Sequence, residues 1–302
     1  MMANRPESWP VMGLGFDQYH ARPANLLRRV HQTSCVLFVQ GMADPDMTQP
    51  RFEALMGVNK YPGDDQITLA RGLGVDRSTT TLVLDGLAAS GWIERTIHAE
   101  DRRKRVLHTT EAGREILARA RAHADAAEAK LLAPLAPPQV AGLVEAMVKV
   151  VTAVPSSAPE FANMSGGDAD SWVPRHLSFL VRRCVQVSHA MVGDAGKPFD
   201  LTPQQFGILY ALAIAPSDEA GVSRMVGVDR SAVEKVLRRL KARGYLERQA
   251  DALRLTPEGE EAFHAMRGPA EATDCALLDC LTAEQREAFM GGLLKLVAYH
   301  KV

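Results

Sequence analysis

Two stretches of this chain set arginine and short hydroxyl side chains at the start of an amphipathic run. Arg77, Ser78, Thr79 and Thr81 form the first set, and Arg230, Ser231, Glu234, Lys235 and Arg239 the second. At helical spacing these groups suit hydrogen bonding to base edges and phosphates. A third set, Asp101, Arg102, Arg103, Lys104 and Arg105, places four consecutive cations behind one carboxylate. Long cations on a projecting loop reach phosphates or a narrow minor groove. Catalytic chemistry has no comparable signal. There is no glycine-rich phosphate loop, no nucleophile elbow and no HExxH, and the nine histidines show no ligand spacing. The sequence therefore predicts no catalytic residues, no metal and no cofactor.

The chain that must position these groups has 302 residues, 46% hydrophobic and 24% charged, enough for about two domains at roughly 150 residues each. Its formal net charge of -1 excludes a general polycation, so any nucleic-acid site must arise from local clustering. Cys35, Cys184, Cys275 and Cys280 form no CxxC pair and read as buried, reduced thiols. No apolar run reaches transmembrane length, and MMANRPESWP lacks the regions of a signal peptide. The expectation is a cytoplasmic protein with no membrane partner.

The chain also repeats itself. Gly74-Val75-Asp76-Arg77-Ser78 recurs as Gly227-Val228-Asp229-Arg230-Ser231, and Gly91-Trp92-Ile93-Glu94-Arg95 as Gly244-Tyr245-Leu246-Glu247-Arg248, both at an offset of 153. Upstream, Thr48–Leu55 pairs with Thr202–Leu209, and Arg28-Arg29 with Arg182-Arg183, at 154. Downstream, Thr110 pairs with Thr256 and Leu135 with Leu281 at 146. The steps between offsets locate loops, and the larger one removes seven residues after the Glu-Arg pair. The expected organisation is a first module with an N-terminal arm over 1–153, a Pro/Ser/Gly-rich linker over 154–171, and a second module with a shortened wing over 172–302.

Within each module the pattern predicts a first helix, about 23–40 in the first copy, and a next one with Thr48 as its N-cap and Pro50 in its first turn. Thr202-Pro203-Gln204-Gln205 and Thr282-Ala283-Glu284-Gln285 are capping boxes. A short helix over 67–73 precedes the repeated phrase, where Asp76 caps the next helix. At 100° per residue, Thr80, Val83, Leu84 and Leu87 share the buried face, and Ser78, Leu82, Asp85 and Ala89 the exposed one. In the second copy Val233, Val236, Leu237 and Leu240 are buried, and Ser231, Lys235, Arg238 and Arg239 exposed. A short helix, a glycine turn and a second amphipathic helix is a helix-turn-helix. Two strand-like stretches around the basic tip form a wing. Helices over 111–132, 138–153, 257–280 and 283–300 close the modules.

GVDRST, LDGLAASGWIER, DRRKR and TTEAGREIL together resemble the winged helix-turn-helix of the MarR family of bacterial transcription regulators, and the resemblance runs over nearly the whole chain, twice. It implies a mainly α fold with small β-wings, two such modules joined through their terminal helices into an intramolecular pseudo-two-fold dimer, with further dimerisation possible. It also implies double-stranded operator DNA as a partner. Arg77, Ser78, Thr79, Thr81, Arg230, Ser231, Glu234 and Lys235 fall on recognition-helix positions, and Asp101 and Arg103 on the wing's Asp-x-Arg. The copies depart from the family in opposite ways. Leu82 and Gly86 stand where the family has basic residues, kept in the second copy as Lys235 and Arg239. The second wing, Gln249 to Arg254, has one cation and no Asp-x-Arg. An operator read asymmetrically is the expectation.

The resemblance further implies a repressor released by a small effector, an aromatic acid, phenol or thioester, held between the first helices and the winged module. Tyr19, His20, Arg28 and His31 are the candidates in the first copy, and Arg175, His176, Arg182 and His189 in the second. An arginine in an apolar cleft would pair bidentately with a carboxylate. Redox sensing is disfavoured, since Cys35 lies late in its helix. The competing class is a tandem winged-helix interaction scaffold or initiator-type protein whose second module no longer reads DNA.

Overall fold

The computed structural model describes residues 19–75, 77–98, 105–153 and 176–300. The chain divides into two compact units, each built from both sequence repeats. The larger joins Leu27–Ala190 with Leu277–Val302; the smaller joins Met1–Leu26 with Met191–Ala276.

The larger unit takes α1 (Pro23–Val39) from Leu27 onward, then α2 (Gln49–Lys60), α3 (Gln66–Leu73) and α4 (Arg77–Ala89). A two-stranded antiparallel wing follows, β1 (Ile93–Ile97) and β2 (Arg105–Thr109), in register from Ile93 opposite Thr109 to Ile97 opposite Arg105. The helices α5 (Glu111–Leu132), α6 (Pro137–Ala153), α7 (Leu177–Gly196) as far as Ala190, and α12 (Ala283–His300) complete it. Asp65 caps α3 by accepting from the Thr68 amide at 2.8 Å. The α3–α4 turn runs through Gly74 at φ 62, a left-handed conformation natural to glycine. Asp76, the expected cap of α4, lies outside the described residues. The buried face of α4 carries Thr80, Leu84 and Leu87, while Ser78, Leu82, Asp85 and Ala89 are exposed, as the helical phase requires. Burying a leucine such as Leu84 or Leu87 contributes about 2 kcal/mol each.

The smaller unit takes the start of α1 and the end of α7, a 3-10 turn (Lys197–Phe199), α8 (Pro203–Ile214), α9 (Glu219–Val226), α10 (Arg230–Ala242), β3 (Leu246–Gln249), β4 (Ala252–Leu255) and α11 (Pro257–Leu278) up to Ala276. Thr202 and Gln205 form the expected capping box, whereas Thr48, at the equivalent place on α2, makes no side-chain capping bond. Three residues after Thr48 stands Arg51, which cannot supply the reciprocal acceptor that Gln205 does. The core gathers Tyr19, Phe206, Tyr210, Phe263 and Met266 with Val233, Leu237 and Leu240 of α10. The second wing is short, with Gln249 opposite Ala252, so its tip is Ala250-Asp251. Among the described residues no single helix is long and apolar enough to cross a membrane.

Candidate nucleic-acid interface

Each unit presents one helix-turn-helix, and the two recognition helices expose different chemistry. On α4 the leading residues Arg77, Ser78 and Thr79 are exposed. Thr81 is half-buried; its hydroxyl donates to the Arg77 carbonyl at 2.8 Å and accepts from the Gln66 side-chain amide, so it fastens α3 to α4. Leu82 is 75% exposed at the middle of the outward face. Asp85, one turn on, is paired with Arg95 of β1 at 2.6 Å. Gly86 completes this face, and a Cβ there would stand 2.4 Å from Nη2 and 2.9 Å from Cζ of Arg51. The Arg51 guanidinium therefore lies on the helix at that position.

On α10 the face is strongly cationic, with Arg230, Lys235, Arg238 and Arg239 exposed. Asp229 caps the helix, accepting from the Ala232 amide at 2.9 Å and the Ser231 hydroxyl at 2.7 Å. Those bonds, the Ser231 one foremost, hold its carboxyl below the usual range. Arg230 pairs with Glu234 at 3.1 Å, an exposed i,i+4 contact weak enough to open for a phosphate.

The wings differ as well. Arg105 is exposed at the start of β2; Asp101, Arg102, Arg103 and Lys104 lie outside the described residues. At the second wing Arg254 is bonded to Gln249, and Arg248, just before that stretch in β3, to Glu219, so both are already engaged within that unit.

Behind α4 a buried polar chain fixes the α3–α4 turn. Arg182 of α7 pairs with Glu53 of α2 at 2.6 Å and donates to the Leu73 carbonyl at 3.0 Å, with its guanidinium 5.0 Å from the Phe179 ring centre. Glu53 also accepts from Gln49 at 3.1 Å. Arg183 donates to the Gly74 carbonyl at 3.2 Å and to Gln186 at 2.9 Å. A Cβ on Gly74 would fall 1.3 Å from Arg183 Nη1, so the turn needs glycine for space as well as for its positive φ. Burial pushes the Arg183 guanidinium down to about 10, with the adjacent Arg182 charge adding to it. Breaking one partner of a buried pair such as Glu53–Arg182 costs roughly 3–5 kcal/mol, because the other charge is stranded. Glu53 was the residue that sequence reasoning missed. A carboxylate set between Phe52 and Ala54-Leu55, where the repeat has Gly207, was the available signal.

The effector candidates separate between the units. Tyr19 and His20 belong to the smaller one, where Tyr19 is buried against Tyr210 with ring centres 4.9 Å apart. Arg28, His31, His176 and Arg182 belong to the larger, and Arg175 lies outside the described residues. His31 sits among Glu53, Arg182 and His189, its pKa lowered chiefly by burial. His176 bridges Asp125, at 3.0 Å, and Glu128. The space lined by Ser34, Phe38, Gln49, Phe52, Glu128 and Ser178 is only about 10 Å³, room for roughly one water. A wider cleft of about 460 Å³ lies beside the second wing among Leu212, Glu247, Arg254, Phe263 and His264, and none of the effector candidates lines it. Cys35 lies 3.8 Å from His31, and burial pushes its thiol up to about 11, opposite to a reactive thiolate.

Against this geometry the comparisons are decisive on kind. Models of the MarR family match residues 47–104 and, separately, 199–253. The chain is a tandem of two MarR-family modules. It is 27% identical over 112 residues to the HTH-type transcriptional repressor NicR of Pseudomonas putida, covering 37% of this chain and 70% of that protein. It is 35% identical over 71 residues to the uncharacterized HTH-type transcriptional regulator YfiV of Bacillus subtilis, covering 24% and 44%. Among solved structures, the PcaV transcriptional regulator from Streptomyces coelicolor, in complex with its natural ligand, is 29% identical over 39% of this chain and 84% of its own, with a TM-score of 0.37. As a MarR-family tandem the chain is a DNA-binding regulator of transcription and not an enzyme.

Proposed function

We propose that the chain is a cytoplasmic repressor that binds operator DNA as a single-chain pseudo-dimer, its modules being 1–153 and 172–302 joined by the linker 154–171. The observation that carries this reading is the exposure of both recognition-helix tips, Arg77-Ser78-Thr79 and Arg230-Ser231, each led by a glycine turn, within one chain. The similarity to a repressor supports the sign of regulation. The operator is read unequally: α4 with its long basic wing on one half-site, and the cation-rich face of α10 on the other. Footprinting on the DNA upstream of the chain's own gene tests this directly. One protected region with two unlike halves is the expected result, and two equivalent halves would overturn the asymmetry.

Release follows when a small anionic effector, an aromatic acid or its thioester, engages Arg182 in place of Glu53. Arg182 is buried, and among the described residues its Nε and Nη1 have no hydrogen-bond partner, which supports a carboxylate there. The surrounding space must widen to admit a ring. A thermal-shift screen with aromatic acids checks the idea, since a ligand at 100 times its dissociation constant adds about 2.7 kcal/mol. Stabilisation that survives Arg182→Met would place the effector elsewhere.

A second reading, in which only the first module touches DNA, is favoured by the engagement of Arg248 and Arg254 within their own unit. Loss of binding on Arg77→Ala with none on Lys235→Ala would establish it.

A further inference from the structure

We propose that Arg51, on a helix outside the helix-turn-helix, is a DNA-phosphate ligand of the first module and stands in for a cation that its recognition helix lacks. The inference rests on the DNA-reading assignment above and adds a residue to it.

Lys235 and Arg239 lie four residues apart, and both are exposed on α10. At the repeat offset of 153 their counterparts on α4 are Leu82 and Gly86, so that face of α4 has no cation of its own beyond Arg77. Its nearest formal charge is Asp85, paired with Arg95. The space above Gly86 is nevertheless occupied by positive charge, since the Arg51 guanidinium stands where a side chain at 86 would begin. At the offset of 154 the counterpart of Arg51 is Gln205, whose side chain is engaged in the capping box of α8. The first copy thus has arginine on α2 and glycine on the recognition helix; the second has glutamine and arginine. The cation is kept and its attachment point moves.

The geometry suits a phosphate. Nη1 of Arg51 donates to the Asp46 carbonyl at 2.9 Å, which holds the planar group over α4 instead of letting it extend into water. The Asp46 carboxylate, 3.8 Å away and 72% exposed, is too solvated to neutralise it. The Arg51 side chain is 24% exposed and lies at Gly86, which shares a row of α4 with the exposed Ser78 and Leu82. A fork held in this way loses less entropy on binding a phosphate than a flexible lysine does.

The test uses the full chain and a duplex enriched in vitro from random DNA by the wild-type protein. Arg51→Gln is expected to weaken binding about tenfold and to reduce the slope of log affinity against log salt by about 0.9, one phosphate contact. The double exchange Arg51→Gln with Gly86→Arg rebuilds the arrangement of the second copy and should restore both. An unchanged slope in Arg51→Gln overturns the proposal, including the case where affinity and melting temperature fall together, which marks a packing role. A reduced slope that the double exchange leaves unrepaired overturns the stand-in. If the wild-type chain enriches no duplex, the DNA-reading assignment itself fails, and that is visible before any variant is compared.

Discussion

An ion pair occurs in each unit at corresponding places in the repeat, buried in the smaller unit and half-buried in the larger, and the two are built from different chemistry. In the smaller unit Arg22 meets Asp274 of α11 at 2.6 Å, with the arginine 5% and the aspartate 1% exposed. Arg22 also donates to the Ala270 carbonyl at 3.2 Å and lies over the rings of Tyr210 and Phe206. In the larger unit His176 lies between Glu128 and Asp125 of α5. At the repeat offsets, His176 corresponds to Arg22 and Glu128 to Asp274. Burial alone would depress the Arg22 guanidinium, but the charge and hydrogen bond of Asp274 outweigh it and push the group up. It stays charged at any ordinary pH. His176 is raised chiefly by its bond to Glu128, against the cost of burial and with help from the charges of Glu128 and Asp125. Duplication preserved the position of the pair, and divergence made one copy permanent and the other titratable.

The most severe way to break this comparison is Asp274→Ala. It strands a buried guanidinium and should cost roughly 3–5 kcal/mol, read as a large fall in the denaturant midpoint. Glu128→Ala should cost much less, because Asp125 remains beside His176. Equal losses would mean that the two pairs are not distinct in kind.

A smaller effect, on the order of 1 kcal/mol, separates the pairs by pH. An imidazole whose folded pKa lies above its unfolded value of about 6.5 stabilises fully below that pH, and the contribution is lost as pH rises through the folded value. Melting temperature should therefore drop between about pH 6 and 8, and His176→Gln should remove that drop. A pH-independent wild type would show that His176 is not held charged. The Arg22 guanidinium stays ionised throughout this window and adds nothing to the drop, although burial raises the Asp274 carboxyl against the pull of Arg22.

The smallest test compares the caps of α2 and α8. Thr202→Ala should cost about 1 kcal/mol through loss of a reciprocal capping box, and Thr48→Ala should be close to neutral. Similar losses in chemical denaturation would show that Thr48 caps in solution.

Much of the fold was legible in the residues, because helical phase is a local property. Thr80, Leu84 and Leu87, with Val233, Leu237 and Leu240, are buried where the 100° rule puts them, while Val83 and Val236, expected on the same faces, are half-buried. The wing pairing followed from strand-like runs flanking a polar tip. The effector candidates were not legible as a group. Tyr19 and His20 are adjacent in sequence to the helix carrying Arg28 and His31, yet they fall in a different unit. Thr48 looked like a cap by residue type, but a cap also depends on a hydroxyl rotamer that sequence does not fix.

By itself the sequence determined that there are two winged helix-turn-helix modules, that their recognition helices begin alike, and that their exposed faces and wings have diverged. These follow from repeat offsets and short-range periodicity. The tertiary structure decided which distant charges meet: Glu53 with Arg182, Arg22 with Asp274, His176 with Glu128, and the Arg51 guanidinium over Gly86. Such pairs are long-range because buried charges must find partners wherever the packed helices bring them, and no local pattern in the chain records that requirement.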